Sequence, residues 1–281
     1  MNAIMSFWTE PMFRGLGDWQ FFRDWAISWA LSSWSLRQLF GSVTLYTDQN
    51  GKTLICDLFK IPFERVDLSF DSLDPSAYSF WTQGKIFAAS LAPKPFIHVD
   101  FDSFVWQMPP PELMEADIFC QRIGQTNFGD HYKLDELEKT LTHIPDLWFQ
   151  QKGWPRKILD CGMFGGSNPS IFEDHWSAVK FCTQHASEWT DTWVTALVSE
   201  EYLIACAAAK AHAEPVAVTS MPNDFFTHMI QGAKWNSVVI SKLRARARKE
   251  IPQRVDIIND VLLDAEEFFI AEKRRRMEKK P

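Results

Sequence analysis

Short apolar runs alternating with longer stretches of helical spacing constrain this chain more than any other feature. "AIMSFW" (3–8) is buried-looking and too short for a helix. In "GDWQFFRDWAISWALSSWSLRQLF" (17–40) apolar residues recur every three to four positions, over a length few strands reach. "SVTLYTD" (42–48) is short and β-branched, "GKTLICDLF" (51–59) reads as a short helix, and "ERVDLSF" (64–70) as a third strand. "FWTQGKIFAASLA" (80–92) is helical again, and "PFIHVD" (95–100) is again a strand. This alternation predicts an α/β fold with a mostly parallel central sheet covered by helices. Ligands of such sheets bind beyond the carboxyl ends of the strands.

"PPPEL" (109–113) interrupts the pattern, which then resumes. "ADIFCQ" (116–121) is a strand, "KLDELEKTLTHI" (133–144) a helix, and "RKILDCGMFGGSNPS" (156–170) a strand running into a Gly-rich turn. Two helices (170–186 and 190–213) and the strand "PVAVTSM" (215–221) follow. From about Asp224 the chain is expected to be mostly helical. A length of 281 residues suits one large domain, 1–236, with a helical C-terminal segment, 237–281.

A net charge of -7 argues against nucleic acid as a partner. Five scattered cysteines without metal-ligand spacing suggest reduced thiols and a cytoplasmic setting. The opening "MNAIMSFWTEP" has neither a basic stretch nor a long apolar run, so no signal peptide is expected, and no run is long enough for a membrane span. The 13 Trp and 23 Phe fit either an aromatic core or stacking surfaces for sugars and bases.

At the end of the "PFIHVD" strand stand two carboxylates, Asp100 and Asp102, one residue apart in "FIHVDFDSF". Such a pair can cap turns or a following helix. It can also converge on a divalent ion that relieves the mutual repulsion, Mg²⁺ or Mn²⁺ with phosphate completing the shell. The stretch is locally similar to the first motif of translesion-type DNA polymerases, but it is followed by "VWQMPPP" and lies in an acidic chain. A haloacid-dehalogenase-type phosphatase would use Asp100 as nucleophile and Asp102 as acid. Such enzymes usually place their motif on the first strand.

A wider resemblance rests on five segments in order: "TLYTDQNG", "WTQGKI", "PFIHVDFDSF", "LDCGMFGGSN" and "FTHMIQGAKW". Together, over roughly residues 5–236, they resemble a bacterial glycosyltransferase-like family. It is related to DxD sugar transferases of the capsular-polysaccharide and glycogenin-like types. The resemblance implies a GT-A (Rossmann-like) fold, a nucleotide-sugar donor with UDP foremost, a Mn²⁺ or Mg²⁺ cofactor, and a carbohydrate, lipid-linked or protein acceptor. The alternative outside enzymology is a sugar-binding or scaffold protein of the same fold with a decayed site.

By that resemblance Asp102 is a metal ligand and Asp100 contacts the metal or the ribose. "HMIQGAK" is similar to a His-x-x-Gly-x-x-Lys pattern with glycine one position late. It implies His228 as third ligand and Lys234 as the group neutralising the departing diphosphate. Asp160, with Gly162, Gly165 and Gly166, stands where the family has an Asn-x-Gly strand cradling the donor sugar. Lys85 corresponds to a cation near the diphosphate; its alternative is a solvated helix lysine. Trp8, Thr9 and Asp48 fall at strand ends where base and ribose sit. Related families retain anomeric configuration and need no base. An inverting enzyme would need a carboxylate, for which Asp160, Glu200 and Glu201 are the candidates. Otherwise one of the two glutamates should be exposed and the other at a packing edge.

From Arg254 to Lys280 apolar residues including Phe268 and Phe269 recur at helical spacing, followed by a basic run. The expected amphipathic helix either packs on the domain or docks on an anionic membrane surface at the cytoplasmic face.

Overall fold

The computed structural model describes every residue except 16–18, 127–130, 221–224, 230 and 279–281, and for Ser220 and Gln231 the backbone alone. The expected helix start at 17–18, the strand end at Met221, the onset at Asp224 and the final lysines Lys279 and Lys280 therefore lie outside the described residues. The fold is α/β. Its central sheet has seven mostly parallel strands: β1 (Asn2–Phe7), β2 (Val43–Thr47), β3 (Arg65–Asp67), β4 (Phe96–Val99), β6 (Phe119–Gln125), β7 (Lys157–Gly166) and β8 (Val216–Ala217). Their order is β3-β2-β1-β4-β7-β6-β8. β1, β2 and β3 pair parallel, as do β6 and β8, while β6 and β7 pair antiparallel. All four β4 residues are buried, which explains its unbroken "FIHV" run: a strand covered on both faces loses the polar half of its alternation.

Two short strands were not legible in the sequence. β5 (Ser103–Val105) and β9 (Phe226–His228) form a separate antiparallel ribbon, so the region after Asp224 is not wholly helical. Three-residue strands are too short to show a period, and their stability comes from a partner more than a hundred residues away.

The contacts divide the chain into two compact units. One comprises Met1–Asn2, Asp74–His98 and Pro109–Asn223; the other comprises Ala3–Leu73, Val99–Met108 and Asp224–Pro281. In the first, helix Gln83–Leu91 and helix Pro169–Gln184 accompany β6–β8. A further helical stretch runs from Thr192 to Lys210, and its middle turn, Val198–Tyr202, widens to π geometry.

In the second unit, helix Phe22–Phe40 buries Trp25 and Trp29, which cluster with Phe7, Phe22 and Phe59, so many of the aromatics do form a core. The same helix carries a polar stripe at one-turn spacing. Ser28 Oγ donates to Phe101 O (2.8 Å), Ser32 Oγ to Ser103 O (2.6 Å), and Ser35 Oγ accepts from Val105 N (3.3 Å). Trp29 stacks on Phe101 with centroids 5.1 Å apart. The turn that joins β4 to β5 is thus gripped through its backbone by hydroxyls and through Phe101 by an indole. Residues 254–278 are not one helix: Pro252–Asp260 and Leu262–Glu278 meet at Val261. The latter packs, with Phe269 5.5 Å from Phe13 and 5.4 Å from Phe22, and Arg276 Nε 2.8 Å from Glu10 Oε2. Among the described residues no helix is long and apolar enough to cross a membrane.

Candidate functional site

Asp100 and Asp102 follow β4 directly, within the turn that the serine stripe holds. The β5–β9 ribbon sets the other half of the site. Ser103 lies opposite His228 in the ladder, and Met229 N donates to Asp102 O at 2.9 Å. One donor atom from each of Asp100, Asp102 and His228 lies within 4.8 Å of the others. His228, in a region expected to be mostly helical, is on a strand, and pairing brings it to Asp102 from 126 residues away. Lys234, in the turn Gln231–Trp235, reaches the same place. Its Nζ is 2.7 Å from Asp102 Oδ2 and 5.9 Å from the Trp19 ring centre.

Burial alone would raise the Asp102 carboxyl, but the neighbouring His228 imidazole and Lys234 ammonium override it and hold the group well below the usual carboxylate range. Its Oδ1, 3.4 Å from His228 Nε2, is buried without a hydrogen-bond partner of good geometry. A buried carboxylate oxygen left in that state is costly unless a cation completes it. Two carboxylates and an imidazole form a donor set suited to Mn²⁺, with Mg²⁺ the harder alternative. The residues present therefore fit a divalent ion.

A second constellation occupies the other unit. Lys85 is no solvated lysine: its Nζ lies 2.6 Å from Glu200 Oε1 and donates to Cys161 O at 3.2 Å. The π turn carries Glu200 and Glu201 together, and neither is exposed. Glu201 accepts a very short hydrogen bond from Tyr132, whose hydroxyl is held protonated by its buried position and by that glutamate. Burial first, then the Asp160 charge, push the Glu201 carboxyl up to about 8. Asp160, on β7, has Arg122 Nη2 at 3.6 Å and receives Gly162 N at 3.4 Å.

Gly165 and Gly166, at the end of β7, meet protein. A Cβ at Gly165 would lie 2.1 Å from Phe96 O, and one at Gly166 2.2 Å from Asp117 O, so their smallness serves the packing of neighbouring chain. At the ends of β1 and β2, Thr9 donates to Asp48 Oδ2 through N (2.9 Å) and Oγ1 (2.7 Å), while Asp48 Oδ1 caps the next helix at Gly51 N (2.7 Å). Trp8, next to Thr9 in sequence, is buried. Thr9 and Asp48 thus direct their polar groups at one another and at the backbone. Sequence reading did not single out Tyr132, Arg122 or the stripe Ser28, Ser32 and Ser35. The stripe's four- and three-residue spacing was a usable signal; Tyr132 and Arg122 offered none.

The chain belongs to the family described as a family of unknown function (DUF6734), whose model matches residues 1–261. Among solved structures it is similar to mouse xyloside xylosyltransferase 1 in its apo form, at 13% identity and TM-score 0.41, covering 77% of this chain and 84% of that one. It is also similar to the PaToxG glycosyltransferase, at 11% identity and TM-score 0.41, covering 97% and 86% respectively. No curated protein matches the chain.

Proposed function

We propose that this chain is a metal-dependent glycosyltransferase that moves a sugar from a nucleoside diphosphate donor, a UDP-sugar foremost, to a carbohydrate, lipid-linked or protein acceptor. The observation that carries this reading is the convergence of Asp100, Asp102 and His228 within 4.8 Å, beside a largely buried lysine. An acidic chain that gathers two carboxylates, an imidazole and an ammonium at a strand end has assembled a receptor for a cation and an anion together. A magnesium- or manganese-bound diphosphate is such a pair. In this reading Asp100, Asp102 and His228 hold the ion, which when bound supplies Lewis acidity toward the departing diphosphate. Asp102 is ionised in advance, so no proton has to leave before it coordinates. Lys234 exchanges its contact with Asp102 for the diphosphate, where its charge offsets the negative charge that develops on departure.

The three carboxylates expected as candidate bases differ in readiness. Glu201 carries a proton at neutral pH, because its carboxyl is pushed up to about 8, and so starts as a donor. Glu200 is committed to Lys85. Asp160 is the best of the three for an inverting reaction, whereas a retaining one needs none of them.

The test is incubation of the full chain with a panel of nucleotide sugars and Mn²⁺, following release of nucleoside diphosphate. The expected result is release from one donor class that stops on chelation and resumes on adding Mn²⁺. Metal-dependent UDP binding without turnover of any donor would instead favour the sugar-nucleotide-binding protein with a decayed site. Absence of both removes the reading.

A further inference from the structure

His143, His185 and Glu188 form a second group of metal-capable side chains, and nothing in the proposed transfer reaction uses them. All three belong to the unit that contains β6–β8. His143 lies in the loop after helix Leu134–Thr140, His185 directly follows helix Pro169–Gln184, and Glu188 ends the turn Ala186–Glu188. One ligand atom from each lies within 4.8 Å of the others. The carboxylate is oriented by the backbone: Glu188 Oε2 accepts from Thr142 N (2.7 Å) and His143 N (3.2 Å). That leaves Glu188 Oε1 facing His143 Nδ1 at 2.5 Å. The His143 and His185 rings stack 3.9 Å apart and 6° from parallel, with Phe181 5.0 Å from His185.

This donor set differs in kind from the aspartate pair. Two imidazoles and one carboxylate suit Zn²⁺ and its neighbours in the transition series, with a fourth position open to water. Backbone N–H groups on the second carboxylate oxygen are the outer contacts that orient a ligating carboxylate. The two rings come from segments more than forty residues apart in sequence and lie face to face, so one ring turns about its side-chain bonds to direct both nitrogen lone pairs at one ion.

We propose that His143, His185 and Glu188 form a surface site for a transition-metal ion of the zinc class. The ion replaces the proton shared by His143 Nδ1 and Glu188 Oε1, which is released to solvent, and His185 supplies the third ligand. Bound there, the ion ties the loop at 142–143 to the turn at 185–188.

The experiment is calorimetric titration of the full chain with Zn²⁺ in three forms: wild type, Asp102→Asn, and the double variant His143→Ala with His185→Ala made in the Asp102→Asn background, so that the aspartate cluster is disabled in the last two. Zn²⁺ is expected to bind Asp102→Asn at a site that wild type also has, and the double variant more weakly by about tenfold or more. Zn²⁺ should also raise the melting temperature of Asp102→Asn and leave that of the double variant unmoved. Circular dichroism checks that the double variant is folded; if it is not, Glu188→Gln, which keeps the shape and removes the charge, takes its place with the same expected loss. Equal Zn²⁺ affinity in the ligand variants, loss of binding in Asp102→Asn instead, or no binding by wild type would each overturn the site.

Discussion

The cluster around Asp102 and the cluster around Glu201 both bury carboxylates, yet drive them in opposite directions. Desolvation acts upward on each. At Asp102 two nitrogen groups, His228 and Lys234, stand closest, and the acid is held ionised. At Glu201 the neighbouring charges are mostly other acids, Asp160 and Glu200, and the cation within reach, Lys85, is already paired with Glu200. Burial therefore does not decide the protonation of a carboxylate; the partners that tertiary structure delivers do. One cluster is prepared to receive a cation, whereas the other is built from an internal ion pair and a protonated acid.

The sharpest way to break this contrast is Asp102→Asn. It removes a ligand charge and should abolish the Mn²⁺-dependent part of UDP binding in calorimetry, with the circular dichroism spectrum kept. Undiminished metal-dependent affinity would end the metal role. At the other cluster, Lys85→Met leaves Glu200 without its cation in a largely buried setting. A loss of about 3–5 kcal/mol in urea denaturation is expected, less where Glu200 relaxes by taking up a proton. A loss below about 1 kcal/mol would show that the pair is solvated in practice, as surface pairs are.

The two acids also predict opposite responses to pH. Glu201, raised in the fold, binds more protons folded than unfolded, so its stabilisation is full below about pH 4.3 and is lost as pH rises toward about 8. Stability of wild type relative to Glu201→Gln should therefore fall across that window, by at most about 1.4 kcal/mol per pH unit. Asp102, lowered in the fold, stabilises above about pH 3.9 and ceases to do so as acid titrates it. Parallel melting curves of wild type and Glu201→Gln between pH 5 and pH 8, about those limits, would show that Glu201 is ionised like an ordinary glutamate.

The smallest effect is expected from Ser32→Ala, which removes the 2.6 Å bond to Ser103 O. It should cost about 1 kcal/mol of stability and weaken Mn²⁺-dependent UDP binding through the loosened turn. Lowered stability with unchanged binding would separate the stripe from the site.

Much of this protein was determined locally. The apolar run before Asp100, the long three-to-four spacing of 22–40 and the β-branched 43–47 announce strand, helix and strand because each period reports one buried face. The DxD at a strand end and the His-to-Lys spacing also stood in the sequence. Other features were decided only by tertiary structure. His228 meets Asp102 because β9 pairs with β5, and both strands are too short to carry a pattern. Thr9 and Asp48 turn toward one another because β1 and β2 lie side by side in register. Gly165 and Gly166 fit against Phe96 and Asp117, segments that sequence order leaves far away. Glu201 keeps its proton because the fold buries it and brings the Asp160 charge to it from β7, a separate element. Periodicity is a property of neighbouring residues, whereas desolvation and charge pairing depend on whatever the fold sets within a few ångströms.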